Sequence, residues 1–182
     1  LGIVEESQLR VYNPVPTDRK SIGVDVARFG TDSSVLTSLH GMKQLGRKEL
    51  FQHKTQSVVG EVIDMSREIG GADILVVDET GLGGGVVDLL TEEIGQALPK
   101  SCEVRGVQFG GACEDDDDKE KYVNLKARMC GLLRDDLKRA DGLALLNEAI
   151  YLEEIPTIRF QYNKKGQLVI ESKDEYKKRT KR

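Results

Sequence analysis

The chain has 182 residues, 38% of them hydrophobic and 32% charged, a balance that supports one domain with its own core and excludes wholesale disorder. No apolar run approaches the roughly 20 residues of a membrane helix, and the first residues lack the basic-then-apolar pattern of a secretory signal, so no membrane association and a cytosolic setting are expected. The net charge of -4 is unlike that of a strongly basic nucleic-acid binder, but the charge is uneven: Glu114, Asp115, Asp116, Asp117 and Asp118 form an acidic run, and Lys173, Lys177, Lys178, Arg179, Lys181 and Arg182 form a basic tail.

Residues 1–20 show no sustained period and contain Asn13-Pro14 and Pro16, which predicts an arm or linker leading into a domain over 21–182. From Ser21 to Ala27, Ile22, Val24 and Val26 alternate with Gly23 and Asp25, a strand pattern that stops at Arg28-Phe29-Gly30 and turns Asp25 away from the valine face. Ser33 to His40 and Arg47 to His53 read as two further strands joined by a turn around Gly41 and Gly46. Val58, Val59, Val62, Ile63 and Ile69 recur at helical spacing before Gly70-Gly71, a glycine stop. Ile74 to Val77 is apolar throughout and ends in Asp78, as suits a central strand covered on both faces.

After Gly81-Leu82-Gly83-Gly84-Gly85, the residues Val86, Val87, Leu89, Leu90, Ile94 and Leu98 predict a second amphipathic helix closed by Pro99. Val104 to Phe109 reads as a fifth strand. Val123, Met129, Leu132, Leu133 and Leu137 mark a third helix, with the acidic run at its N-terminal end, where the helix dipole favours negative charge. Ile158 to Tyr162 and Gln167 to Ile170 flank Asn163-Lys164-Lys165-Gly166, a hairpin with a basic tip, and Ser172 with Glu175 forms a capping box opening a last helix.

Three strands, a helix, a strand, a helix, a strand and a helix is the order of RNase H-like α/β domains. It predicts a mixed sheet of five main strands in order 3-2-1-4-5, flanked by helices, with an added hairpin near the C-terminus. Open α/β sheets place ligands at the carboxyl ends of their strands, so Asp25 and Asp78 are expected close together. Two carboxylates there repel unless a cation joins them, and Mg²⁺ or Mn²⁺ suits oxygen ligands. Asp25 and Asp78 are therefore candidate catalytic metal ligands for two-metal-ion phosphodiester hydrolysis. Asp32, at the turn into the second strand, is a candidate outer ligand. The alternative for each is turn chemistry, an aspartate bonding backbone amides of its own loop.

Other chemistry is poorly supported. Cys102, Cys113 and Cys130 form no CxxC pair and have no neighbouring His, so they are expected to be plain thiols; His40 and His53 are isolated. Gly81 to Gly85 has no following Lys-Ser/Thr and so is not a Walker-type ATP loop.

Gly23-Val24-Asp25-Val26-Ala27-Arg28 with Gly30-Thr31-Asp32 resembles the first motif of bacteriophage terminase large-subunit nuclease domains. The run from Val76 through Asp78-Glu79-Thr80-Gly81 to Asp88 resembles the second. Asn124-Leu125-Lys126-Ala127-Arg128-Met129 is similar to the helix after the fifth strand, and Glu171 to Arg179 is similar to the basic C-terminal signature. The match covers nearly everything after Lys20, in four ordered motifs.

The resemblance implies an endonuclease that cuts concatemeric double-stranded viral DNA with two divalent cations, Mg²⁺ or Mn²⁺, held by Asp25 and Asp78 with Asp32 nearby. It also implies a separate packaging ATPase domain, a portal and a small terminase subunit as partners, in the cytoplasm of an infected bacterium. The family's third metal-binding Asp lies a few residues beyond the Lys-Lys-Arg signature, and this sequence ends at Arg182. Weak metal binding and little cutting by residues 1–182 are therefore expected. For DNA grip the candidates are Lys164, Lys165, Lys173, Lys177, Lys178 and Arg179, with a solvated basic face as the alternative. Three rival readings stay open: a Holliday-junction-resolvase-like nuclease, a fragment of an actin-like ATPase, and a non-catalytic packaging-motor interaction module.

Overall fold

The computed structural model describes residues 13–27, 32–139 and 141–181. Most of the expected arm (1–12), the Arg28-Phe29-Gly30-Thr31 part of the first motif, and Arg182 of the basic tail lie outside the described residues. The chain divides into two compact units, one within Tyr12–Gln108 and the other within Phe109–Arg182.

The first unit is built on β1 (Lys20–Asp25), β2 (Ser33–His40), β3 (Lys43–Phe51), β4 (Ile74–Asp78) and β5 (Glu103–Val107). Their order across the sheet is β3-β2-β1-β4-β5. β1 is antiparallel to β2 and β2 to β3, whereas β1–β4 and β4–β5 are parallel. This is the mixed RNase H-like sheet that the order of sequence elements predicts. Each parallel step needs a crossover, and the two crossovers carry α1 (Thr55–Glu68) and α2 (Gly83–Glu92).

Period-two alternation decides which side of the sheet the helices cover. Ile22 and Val24 of β1, Leu36 of β2, and Leu75 and Val77 of β4 are buried and cluster with Val58, Val62 and Met65 of α1 and Val86 and Leu90 of α2. Burying each of these aliphatic side chains contributes about 1.5–3 kcal/mol. α1 ends where Gly70 and Gly71 adopt φ of 75° and 93°, conformations that cost a residue with a Cβ.

Two boundaries depart from expectation by more than two residues. β3 begins at Lys43 rather than Arg47, because Gly41, at φ 56°, lets the chain reverse at once and pairs His40 with Lys43. α2 ends at Glu92, well before Leu98. Gly95 turns to φ 78° and its N–H donates to the Leu98 carbonyl (2.9 Å), so Ile94 and Leu98 face each other across a bridge instead of continuing the helix.

The second unit holds α3 (Asp116–Lys121), α4 (Leu125–Lys138), α5 (Ala149–Glu154), a short 3-10 turn (Ile155–Thr157), β6 (Phe160–Tyr162), β7 (Leu168–Ile170) and α6 (Lys173–Thr180). The single third helix expected after the acidic run is two helices. Tyr122 breaks it by bridging to Leu168, and Val123 N–H donates to the Leu168 carbonyl at 3.2 Å. The acids therefore cap only the short α3, where Asp115 accepts from Asp117 N–H (2.9 Å); Asn124 caps α4 by accepting from Ala127 N–H (2.9 Å). α6 opens with the predicted Ser172–Glu175 capping box. The three cysteines are free thiols.

Candidate metal centre

β1 and β4 run parallel in the register Ile22↔Leu75, Gly23↔Val76, Val24↔Val77. One step further along, each strand ends in an aspartate: Asp25 and Asp78. Neighbouring strands lie about 4.8 Å apart, and residues in register project to the same face. Val24 and Val77 are buried on the helix-covered side, so the two aspartates share the opposite side, where Asp25 is exposed and Asp78 half-buried.

The loop after β4 fixes Asp78. Its Oδ1 accepts from Thr80 N–H at 3.0 Å, so the turn-chemistry role is present whatever else the carboxylate does. Gly81 takes φ 79°, and at Gly83 a Cβ would lie 1.7 Å from the Asp78 carbonyl oxygen. Only a glycine lets α2 begin this close to the strand end. Glu79 N–H donates to the Val107 carbonyl (2.9 Å). The Glu79 side chain lies across Gly106 of β5, where a Cβ would meet its Cδ at 2.5 Å. Sequence reading gives Glu79 no role; the available signal is Gly106, a glycine inside a strand marking close approach by another group.

Asp32 is exposed and immediately precedes β2, which is antiparallel to β1, so it sits at the same end of the sheet as Asp25. Nearby, Ala27 N–H donates to Ser34 Oγ at 3.0 Å. On the aspartates' side of the sheet, Glu49 faces Val35, which in turn faces Asp25. Ser33 Oγ donates to Glu49 at 2.5 Å and Arg47 pairs with it at 3.1 Å. The Ser33 hydrogen bond, followed by that from Arg47, holds the Glu49 carboxyl below its ordinary range.

The chemistry of this donor set suits a hard divalent cation: two carboxylates from adjacent rigid strand ends, with no thiolate or imidazole among the candidates to favour a softer metal. Among the described residues no group of three or more His, Cys, Asp or Glu side chains is assembled. Asp32 thus shares the sheet end without joining Asp25 and Asp78 in such a group.

The basic candidates belong to the second unit. Lys164 and Lys165 are exposed at the β6–β7 tip. That tip is folded by Asn163, whose Oδ1 accepts from Lys165 N–H (2.9 Å) and Gln167 N–H (3.0 Å). Lys173, Lys177 and Lys178 are exposed on α6. Arg179 differs from them. Its guanidinium donates to both oxygens of Glu171 (2.6 and 3.1 Å) and to the Thr157 carbonyl (2.7 Å), tying α6 to the residue that follows β7 and to the 3-10 turn. That pairing holds the Glu171 carboxyl below its usual value.

No protein-family model and no curated protein matches the chain. Solved structures do. The nuclease domain of the large terminase subunit gp2 of bacterial virus Sf6 superposes with a TM-score of 0.80 at 17% identity, covering 100% of this chain and 93% of that one. A mutant of the same Sf6 domain, solved with manganese, gives 0.77 at 16% identity over 100% and 93%. The large terminase nuclease of thermophilic phage G20c, with bound magnesium, gives 0.61 at 17% identity over 90% and 76%. The chain has the fold of these domains.

Proposed function

We propose that residues 21–182 form a metal-dependent endonuclease domain of a viral DNA-packaging terminase. The observation that carries this reading is the register Val24↔Val77, which leads Asp25 and Asp78 out of adjacent parallel strands onto one face. The likeness to terminase nuclease domains, two of them solved with manganese or magnesium, supports it.

In this reading Asp25 and Asp78 would hold divalent cations, Mg²⁺ or Mn²⁺, with Asp32 an outer carboxylate at the same end of the sheet. Held there as a pair, the cations would supply activation of a water and stabilisation of the leaving 3′ oxygen for an in-line displacement. The protein's own part is geometric. The two strands fix the carboxylates, the Thr80 N–H orients Asp78, and the Gly81–Gly83 turn starts α2 directly against the Asp78 backbone. Lys164, Lys165, Lys173, Lys177 and Lys178 hold the duplex through its phosphates. Arg179 contributes by seating the helix that carries three of those lysines. The substrate is concatemeric double-stranded DNA; the partners are the packaging ATPase domain, portal and small terminase subunit, in the cytoplasm of the infected bacterium.

The test is cleavage of plasmid, linear duplex and four-way junction by the full chain, with Mn²⁺, with Mg²⁺ and with chelator. Metal-dependent nicking of duplex that is lost in Asp25→Asn is the expected result. Preference for the junction would make the chain a resolvase instead. Cutting unaffected by Asp25→Asn and Asp78→Asn, or no metal-dependent cutting together with no Mn²⁺ binding, would refute the assignment and leave an interaction module.

A further inference from the structure

We infer that Phe51 is a DNA-contacting residue of this site, laying its ring against the deoxyribose of the strand being cut, a few nucleotides from the scissile phosphate. The inference rests on the nuclease reading and extends it to a residue outside the carboxylate motifs.

Register places the ring. Asp25 pairs with Val35 across β1–β2, and Val35 pairs with Glu49 across β2–β3, so all three project to the side opposite α1 and α2. Phe51 lies two residues beyond Glu49 on the same strand and therefore on the same side. It is the last residue of β3, at the sheet end where β1 and β4 also finish. Two strand spacings sideways and two residues along put its Cα on the order of 12 Å from that of Asp25.

The ring is 64% exposed. A single exposed aromatic is ordinary on a protein surface; what sets this one apart is its surroundings. Gln52 follows at φ 54°, so the chain leaves the sheet immediately after the ring. Lys54, three residues further along the chain, is exposed and cationic. Glu49, the carboxylate between Phe51 and Asp25 on this face, is ion-paired to Arg47 at 3.1 Å, which reduces its repulsion of a phosphate. An exposed ring followed by a basic residue, at the sheet end that carries the carboxylate pair, offers an apolar face to duplex sugars where phosphate and sugar contacts set the position of the DNA.

The experiment compares the full chain with its Phe51→Ala and Phe51→Trp variants by fluorescence anisotropy of a labelled duplex, with Ca²⁺ neutralising the carboxylates, at several salt concentrations. Phe51→Ala should weaken binding by about five- to tenfold through lost apolar burial of the ring, leave the salt slope unchanged because no phosphate contact is lost, and melt at the parent temperature. Phe51→Trp should bind like the parent. Parental affinity in Phe51→Ala, equal weakness in both variants, or a loss carried by the salt slope would overturn the inference while leaving the nuclease reading intact. A parent chain that binds no duplex would overturn both.

Discussion

The first residue of α2, Gly83, lies so close to the last residue of β4 that a methyl group on it would stand 1.7 Å from the Asp78 carbonyl oxygen. Gly84 and Gly85, its neighbours, have nothing within 4 Å of a built Cβ. Three consecutive glycines thus divide into one that is required and two that are not. Gly83→Ala should destabilise the fold by about 1–3 kcal/mol by forcing strand end and helix apart. Gly84→Ala and Gly85→Ala, inside the helix, should stabilise it by about 0.5–1 kcal/mol. Urea denaturation of the three variants decides the matter; a Gly83→Ala protein as stable as the parent would remove the steric reason given for the loop.

Asp25 and Asp78 end adjacent strands on one face, and like charges so placed repel, a repulsion that a shared cation offsets. Asp25→Asn and Asp78→Asn should therefore raise the melting temperature in chelator by a few degrees. In the Asp78→Asn variant the side-chain amide oxygen can still accept from Thr80 N–H, so the loop keeps its hydrogen bond. Millimolar Mn²⁺ should raise the melting temperature of the parent, by the linkage between binding and folding, and leave both variants unmoved. An equal Mn²⁺ shift in parent and variants would show that the ion binds elsewhere.

How far the sequence discloses this arrangement depends on the range of the interaction involved. Period-two alternation at Ile22-Val24 and the apolar run Ile74–Val77 locate both strands and both aspartates, because burial on one face is written locally. Contacts between distant segments are not. Asn124 marks a helix start, but nothing near Tyr122 announces its pairing with Leu168, and the apolar spacing runs on across the split. The left-handed turn at Gly95 likewise cuts α2 although Ile94 and Leu98 keep the helical period. The Arg179–Glu171 pair joins residues eight apart across a helix start, and a basic cluster in sequence gives no sign of which member is already engaged. Lys164 and Lys165 are legible for the opposite reason: Asn163 and Gly166 specify the turn that exposes them.

Arg179 and Glu171 make α6 sensitive to acid. The hydrogen bond from Arg179 lowers the Glu171 carboxyl below its ordinary value. A depressed carboxylate contributes stability that is complete above its unfolded pKa and is lost as pH falls through the folded one. The parent should accordingly keep α6 docked at neutral pH and lose amide-exchange protection over 173–180 as pH falls below about 4, the unfolded carboxylate range. Arg179→Ala should lose that protection at neutral pH as well. Arg179→Lys should restore it only in part, since an ammonium cannot reproduce the two-pronged contact. Protection in Arg179→Ala equal to the parent's at pH 7 would show that the pair does not hold the helix.

Lys164 and Lys165 offer the sharpest separation between a DNA grip and a merely solvated surface. Both are exposed on a two-stranded hairpin whose turn is held by the Asn163 side chain and by Gly166 at φ 80°. Replacing them leaves that scaffold untouched, so folding is not the variable. If each meets a phosphate, its removal abolishes the release of one condensed counterion, and the slope of log affinity against log salt falls by about 0.9 per contact. Lys164→Ala with Lys165→Ala should thus flatten the slope by nearly two units and weaken binding to unrelated duplex sequences alike, because phosphates carry no sequence information. Asn163→Ala, which loosens the turn but keeps both charges, should weaken binding with little change in slope. An unaltered slope in the double lysine variant would assign the hairpin tip to solvent.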